Sequence, residues 1–312
     1  MTNPLLSLAR KIVCPILALH KVPLLKDVSW GGDFPDRHFL VIRRNEPQAG
    51  LCSFFITTLG WIRYAFDRGM VPVVDLQTYR NIYLGHGERG RVNAWDFFFQ
   101  QPGGFSLDAI RHAAKVTVAT GVPPWKDFCP KMSVEVLSEG NEQLEKWRML
   151  VANRVRLAEG IAGLRNEPVE NALQKGAVGV LARGTDYFWL EPHGHPVQPS
   201  AEQLIEKVKE LGGAKPIYLV TEDESISTAF KAAFGDRLVL SDQKPLKYDG
   251  GYLADSAEVK HSRERGIAYL KALVDLARCR QIVAGRTSGT VTTALLSKGF
   301  DFAYYFDLGV YP

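Results

Sequence analysis

The feature that most constrains this chain is the repeated exchange of short apolar runs for helix-length segments in its second half. Residues 177–182, 216–221, 237–240 and 281–284 read as strands, and 200–211, 225–234, 266–279 and 288–297 as the helices between and after them. Near-continuous apolar strands alternating with helices predict a parallel sheet with both faces covered, a doubly wound α/β unit. The first half carries the same sign once: a strand at 39–43, a turn at 47–50, a helix over 51–67 closed by Gly69, and a strand at 71–75. Residues 79–104, rich in Gly, Asn and aromatics, read as surface loops, and 138–163 as one polar helix. The stretch 164–168 reads as a domain boundary, and 312 residues are comfortable for two α/β domains.

Composition bounds the ligand class. A formal charge of +4, with no Lys/Arg block, suits a small anionic ligand better than a nucleic-acid surface. Cys14, Cys52, Cys129 and Cys279 are scattered without a CxxC pair, which points to a reducing, cytoplasmic setting rather than zinc or disulfides. Residues 12–19 form an apolar run after Arg10 and Lys11, too short to span a bilayer. A helix lying on the inner face of a membrane and a helix packed on the protein's own body both fit it. Walker A and GxSxG patterns are missing from the sequence. The one stretch with GxGxxG spacing, Gly85 to Gly90, lies in the irregular 79–104 region rather than between a strand and a helix, so it is not a dinucleotide fingerprint.

In an open α/β sheet ligands bind beyond the carboxyl ends of the strands, so the segments that follow the strands are the candidates. Gly285-Arg286-Thr287-Ser288-Gly289 opens a helix, offering free amides, hydroxyls and a cation to a phosphate; Thr287 or Ser288 could equally cap that helix. Arg183 directly follows a buried strand, as a diphosphate-binding fork or as the ion-pair partner of Asp186. In the acidic run 221–224, Asp223 reads as a helix cap ahead of Ser225, in preference to a metal ligand. His193 and His195 lack further metal ligands nearby, so no metal site is expected.

These segments, in this order, resemble the donor domain of the fucosyltransferase superfamily, which includes the α1,6-, nodulation-factor and protein O-fucosyltransferases. Its first motif, His-x-Arg-Arg-x-Asp, is similar to Leu181-Ala182-Arg183-Gly184-Thr185-Asp186, followed at matching spacing by Glu191 and His195-Pro196. Its second resembles Leu219-Val220-Thr221-Glu222-Asp223, and its third Leu276-Ala277-Arg278-Cys279 with Thr287-Ser288. The likeness covers residues 175–300. In the first half, 50–54, 72–75 and 93–97 look like segments of bacterial relatives that build surface polysaccharides.

The resemblance implies a GT-B architecture, two Rossmann-like domains facing across a cleft, with inverting chemistry and no cofactor or metal. It divides the chain into an N-terminal helical segment (1–35), an acceptor-side α/β domain (36–168) and a nucleotide-sugar domain (169–312). The substrates it implies are a GDP-sugar, probed first as GDP-fucose, and a glycan acceptor. Arg183 would hold the β-phosphate; Thr287, Ser288, Gly289 and Arg286 the diphosphate; Glu191 would be the base or orient the acceptor. Thr185, Asp186, His195, Thr221 and Asp223 complete the donor site. The chain departs from the pattern in three places: Leu181 stands where the family has a base-contacting His, Gly184 where it has a second Arg, and Ala272 where it has a base-reading Asp. Asp275, one turn on, is the substitute expected for that last position. The departures keep two alternatives open, another nucleotide sugar on the same fold and a non-catalytic nucleotide- or glycan-binding module.

Overall fold

The computed structural model describes residues 24–211, 213–243, 245–246 and 263–312. The apolar run at 12–19, and with it the membrane-surface reading, lies outside the described residues. Among the described residues no helix is long and apolar enough to cross a membrane.

The described residues build two sheets. The first contains β1 (Leu25–Val28), β2 (Asp33–Arg43), β3 (Val71–Asp75) and β4 (Ala113–Thr120), in the order β1-β4-β2-β3. The β2 strand pairs in parallel with both β3 and β4, and β1 closes one edge antiparallel to β4. Residues 25–28 and 33–35 are therefore strand, which corrects the helical reading at the end of segment 1–35. Pairing with β4 is the reason: Leu25 to Val28 lie opposite Ala119 to Val116.

The second sheet contains β5 (Val178–Ala182), β6 (Ile217–Thr221), β7 (Leu238–Leu240), β8 (Gln281–Gly285) and β9 (Phe302–Phe306). All are parallel, in the order β7-β6-β5-β8-β9. The doubly wound α/β expectation holds for this sheet, with one strand more than the sequence reading supplied. Both faces are buried: Val178, Val180 and Ala182 join one apolar cluster, while Leu181 joins the other. That is why β5 reads as an unbroken apolar run.

The helices are α1 (Leu51–Phe66), α2 (Val134–Leu137), α3 (Glu142–Arg154), α4 (Glu159–Ala162), α5 (Glu167–Gln174), α6 (Asp186–Leu190), α7 (Ala201–Glu210), α8 (Glu224–Phe234), α9 (Arg263–Leu276) and α10 (Ser288–Leu296). Capping follows the sequence closely. Asn141 accepts from the amides of Gln143 and Leu144 at the start of α3, and Ser200 with Gln203 forms a reciprocal capping box on α7.

The single helix expected over 138–163 is interrupted. Val155 leaves the helix in an extended conformation, because Gln100 N donates to Arg156 O at 2.9 Å and Ala158 N to Phe98 O at 2.9 Å. A short β-type pairing with the 98–100 segment outcompetes continued helix. The surface-loop reading of 79–104 also changes: Ile82, Tyr83, Leu84, Trp95, Phe97, Phe98 and Phe99 are all buried. Their aromatic area has no better place than the core, and Phe55, Phe99 and Trp95 stack with centroids at 5.0 and 4.6 Å.

One apolar cluster contains residues of both sheets, among them Leu40, Ile42, Phe54, Trp61, Trp147, Val151, Leu181, Leu273 and Val291. The α1 helix is buried almost all round, as expected for a helix enclosed by layers on both sides. Arg148 of α3 reinforces the junction. It is 7% exposed, donates through Nε to Ala294 O at 2.9 Å, and through Nη2 to Ser297 Oγ at 2.9 Å and Glu139 at 2.7 Å.

Candidate functional site

The strand order places the site. In the second sheet β5 is central; the chain first adds β6 and β7 on one side, then crosses over to add β8 and β9 on the other. The reversal lies between β5 and β8, paired in register with Leu181 opposite Ala284. Their carboxyl ends therefore deliver the 183–186 and 286–289 segments side by side, about 5 Å apart at the strands. A switch point of this kind is where open α/β sheets hold ligands.

The turn after β5 is under backbone strain. Thr185 is fully buried with φ +49° and ψ −120°, a region glycine favours and a β-branched residue avoids. Carboxylates from the adjacent β6 edge hold it there. Thr185 N donates to Asp223 Oδ2 at 2.9 Å, Thr185 Oγ to Glu222 Oε1 at 3.1 Å, and Gly184 N to Glu222 Oε1 at 3.0 Å. Gly184 leaves no room for a side chain: a Cβ would stand 2.7 Å from Asp223 Cβ and closer still to its carboxylate. The absent second arginine thus has a steric reason.

This turn fixes Arg183 at the sheet edge. Its side chain is 25% exposed, with Nη2 donating to Asp186 Oδ1 at 2.8 Å and Nε lying 3.4 Å from Glu222 Oε1. The ring of Tyr187 lies under the guanidinium at 5.2 Å, and Tyr187 Oη is 3.2 Å from His195 Nδ1. Burial opposes the charge on Arg183, but Glu222 and then Asp186 outweigh it, so the guanidinium holds its proton more firmly than an ordinary arginine. Burial raises the Tyr187 phenol in turn, against the pull of Arg183. The ion pair with Asp186 and the anion-binding fork are compatible, because the guanidinium has five donors and Nη1 is not used by either carboxylate contact.

On the β8 side, Thr287 caps α10: its Oγ accepts from Thr290 N at 3.1 Å. The hydroxyl is turned into the helix. Among the described residues the amides of Ser288 and Gly289 have no acceptor, so the first turn keeps its open donors. Gly289 is needed for a close approach, since a Cβ there would strike the hydroxyl of Tyr269 and come within 3.3 Å of Leu181. Arg286 departs from expectation. It lies 3.1 Å from Asp307 and donates to Gly309 O at 3.0 Å, so its charge is neutralised by the C-terminal segment.

The remaining predicted residues divide. Thr221 Oγ accepts from Asp223 N at 3.1 Å, and Asp223 caps α8 by accepting from Ser225 N at 2.8 Å and from Ile226 N. Burial alone would raise the Asp223 carboxyl; hydrogen bonds from Ser225, Thr185 and Ile226 bring it below the usual range. Both residues buttress the turn. Glu191 and His195 are exposed on the stretch that follows it, and Glu191 is left-handed at φ +41° and ψ +61°. Asp275 is not brought to the site. It sits in the last turn of α9, which leads to the amino end of β8, enclosed by Lys271 at 3.1 Å and Arg278 at 3.3 Å. These cations satisfy its charge, so it does not stand in for the family's base-reading carboxylate.

Residues that sequence reasoning did not select complete the site from the other sheet. Gly50 opens α1 without a side-chain cap, and Leu51 N donates to Tyr83 Oη at 2.7 Å. The buried Cys52 thiol lies where Thr292 of α10, Tyr269 of α9 and the charge of Arg183 each pull it toward its thiolate, against the larger effect of burial. Burial pushes that thiol up to about 11, so it is not a nucleophile at neutral pH. The start of α1 therefore meets Arg183 and α10, and two helix N-termini and a guanidinium share one locality. Among the described residues no group of three or more His, Cys, Asp or Glu side chains could hold a metal ion.

No protein-family model matches the chain, and no curated protein matches it. Solved structures similar to it include NodZ alpha-1,6-fucosyltransferase soaked with GDP-fucose, at 17% identity and a TM-score of 0.46, covering 84% of this chain and 93% of that one. A second is fucosyltransferase NodZ from Bradyrhizobium, at 16% identity and 0.46, covering 84% and 94%. A third is POFUT1 in complex with GDP-fucose, at 12% identity and 0.44, covering 87% and 98%.

Proposed function

We propose that the chain is a glycosyltransferase of GT-B type that takes a nucleotide diphosphate sugar at the β5/β8 switch point and passes the sugar to a glycan acceptor. The observation that carries this reading is the meeting of Arg183 with the uncapped amides of α10 and the start of α1. A guanidinium and two helix N-termini suit a pyrophosphate, and they stabilise most strongly when negative charge builds on the leaving diphosphate. The reading extends to metal-independent chemistry, with Arg183 and the amides doing the work a divalent cation does elsewhere. No cofactor is required. In an inverting transfer a base takes the acceptor hydroxyl proton, the oxygen attacks the anomeric carbon, and the diphosphate departs from the opposite face. Glu191, exposed beside the site, is the candidate base.

The motif resemblance makes GDP the proposed base and fucose the proposed sugar, with surface polysaccharide as the setting and the cytoplasm as the compartment. Thermal stabilisation by GDP, UDP, CDP and dTDP, measured side by side, tests the donor. A ligand at a hundred times its Kd adds about 2.7 kcal/mol, a readily measured shift. GDP is expected to stabilise most, and the shift to vanish in Arg183→Ala. No response to any of the four would overturn the donor site. Stabilisation without transfer from GDP-fucose to any glycan would favour a binding module.

A further inference from the structure

The loop after β3 encloses a cavity of about 290 Å³, lined by Arg80, Asn81, Leu84, His86 and Arg89 among others. That is room for one sugar-sized group. Three arginines (Arg80, Arg89, Arg91) and His86 lie between residues 77 and 91, against a single carboxylate, Glu88. Glu88 is held at the cavity wall, accepting from Gly85 N at 2.6 Å, so the cations outnumber it there. Arg80 is exposed and has no ion-pair partner among the described residues.

A cluster of cations on a loop is usually a solvated face, but this loop is held rigid by its other polar groups. Asp75 accepts from the amides of Gln77 and Thr78 at 3.1 and 3.0 Å. Asn81 donates to Leu76 O at 2.8 Å and accepts from Tyr83 N at 3.0 Å. Gly90 N donates to Gln77 O at 2.9 Å, and Arg89 Nε to Thr78 O at 3.0 Å. The frame consumes several of the loop's backbone groups, while Arg80 and Arg89 line the cavity. The loop is also joined to the donor side: Tyr83 accepts from Leu51 N at the start of α1, and its ring packs against Gly266 of α9.

We infer that this cavity binds an oxyanion carried by the acceptor saccharide, a uronate carboxylate or a phosphate ester. That the bound molecule is an acceptor rests on the transferase reading above; that the cavity holds an oxyanion does not. The arginines that line the cavity can give such a group charge-assisted hydrogen bonds that a neutral sugar cannot return.

Isothermal titration of the full chain, without donor, tests it. The probes are a galacturonic acid trisaccharide, glucose 1-phosphate and a neutral galactose trisaccharide, on the unaltered protein and on Arg80→Glu. A thermal scan first establishes that the variant is folded, as expected for an exposed side chain without an ion-pair partner. An acidic probe should bind, weaken about tenfold or more in Arg80→Glu, and weaken as ionic strength rises to about 0.5 M. The neutral trisaccharide should show none of these dependences. Tighter binding of the trisaccharide or of the phosphate names the oxyanion. Equal binding of acidic and neutral probes, equal binding by both proteins, or no binding of either acid overturns the proposal. Acid binding in a protein that ignores every nucleotide would sink the transferase reading and leave the oxyanion site standing. A GDP response without acid binding would do the reverse.

Discussion

Glu222 Oε1 lies 3.4 Å from Arg183 Nε while accepting from Gly184 N at 3.0 Å, so one buried carboxylate both shapes the turn and aims the cation. The pair spans two neighbouring strands, β5 and β6, and makes Arg183 a structural as well as a binding residue.

Arg183→Ala is expected to lower turnover by roughly 100- to 1000-fold, the scale for losing one preorganised charge stabiliser. It should also lower stability by about 1–3 kcal/mol, because Glu222 is left buried without its counter-ion. Adding Glu222→Gln should recover much of the stability and none of the turnover. Denaturant midpoints and initial rates on the unaltered protein and these two variants separate the two effects.

Thr185 gives a second test. Its φ of +49° is cheap for glycine, so Thr185→Gly should change stability by no more than about 1–2 kcal/mol, as relieved strain offsets the lost hydroxyl contacts. Thr185→Val keeps the strain and takes a hydrogen bond from Glu222, and should be the more destabilising by roughly 1–3 kcal/mol. Thermal melts of both should give that order; the reverse would mean that the turn is not strained in solution.

Arg148→Ala should cost about 1–3 kcal/mol, since it leaves the buried acceptors Ala294 O and Ser297 without their donor, while the exposed Glu139 can turn to water. Arg148→Lys should recover only part, because one ammonium cannot reproduce the fork. Chemical denaturation measures both.

Asp223 predicts the acid limb of the stability curve. Its folded carboxyl lies below the ordinary aspartate value of about 3.9, so its contribution is complete above that pH and is lost as pH falls through its own lower value. Asp223→Asn should be less stable near neutrality, and the gap from the unaltered protein should narrow below about pH 4. Melting temperatures across pH 2–7, an approximate window set by that value, would show it. A gap independent of pH would count against the assignment.

Legibility in the sequence followed range. The strands of the second sheet, the caps at Asp223 and Thr287, and the position of Arg183 were readable because each depends on neighbours in sequence or on two-sided burial. The β4 strand was not, since Lys115 and Thr117 interrupt its apolar pattern and its partner β2 supplies the order. Nor were β1 and β9, short edge strands that exist through pairing. Glu222 read as one of several acids because its partners lie 38 residues back. Tyr83 and Tyr269 gave no local signal, and Cys52 only a segment likeness over 50–54, because what makes them part of the site is contact between distant elements. The partner of Arg286 was hidden for the same reason, since Asp307 reaches it only through the fold, whereas the cations around Asp275, Lys271 four residues before it and Arg278 three after, were there to be read.

The packing of α3 and α1 on α10 has a consequence for anyone cutting the gene. A half-molecule starting at residue 169 would leave Val291, Ala294 and Leu295 wet where Leu144, Trp147 and Val151 now cover them. The matching N-terminal piece would bare the flank of Trp61 and Phe55. Neither part should stay soluble alone, and co-expressed as separate chains the two should find each other and reassemble.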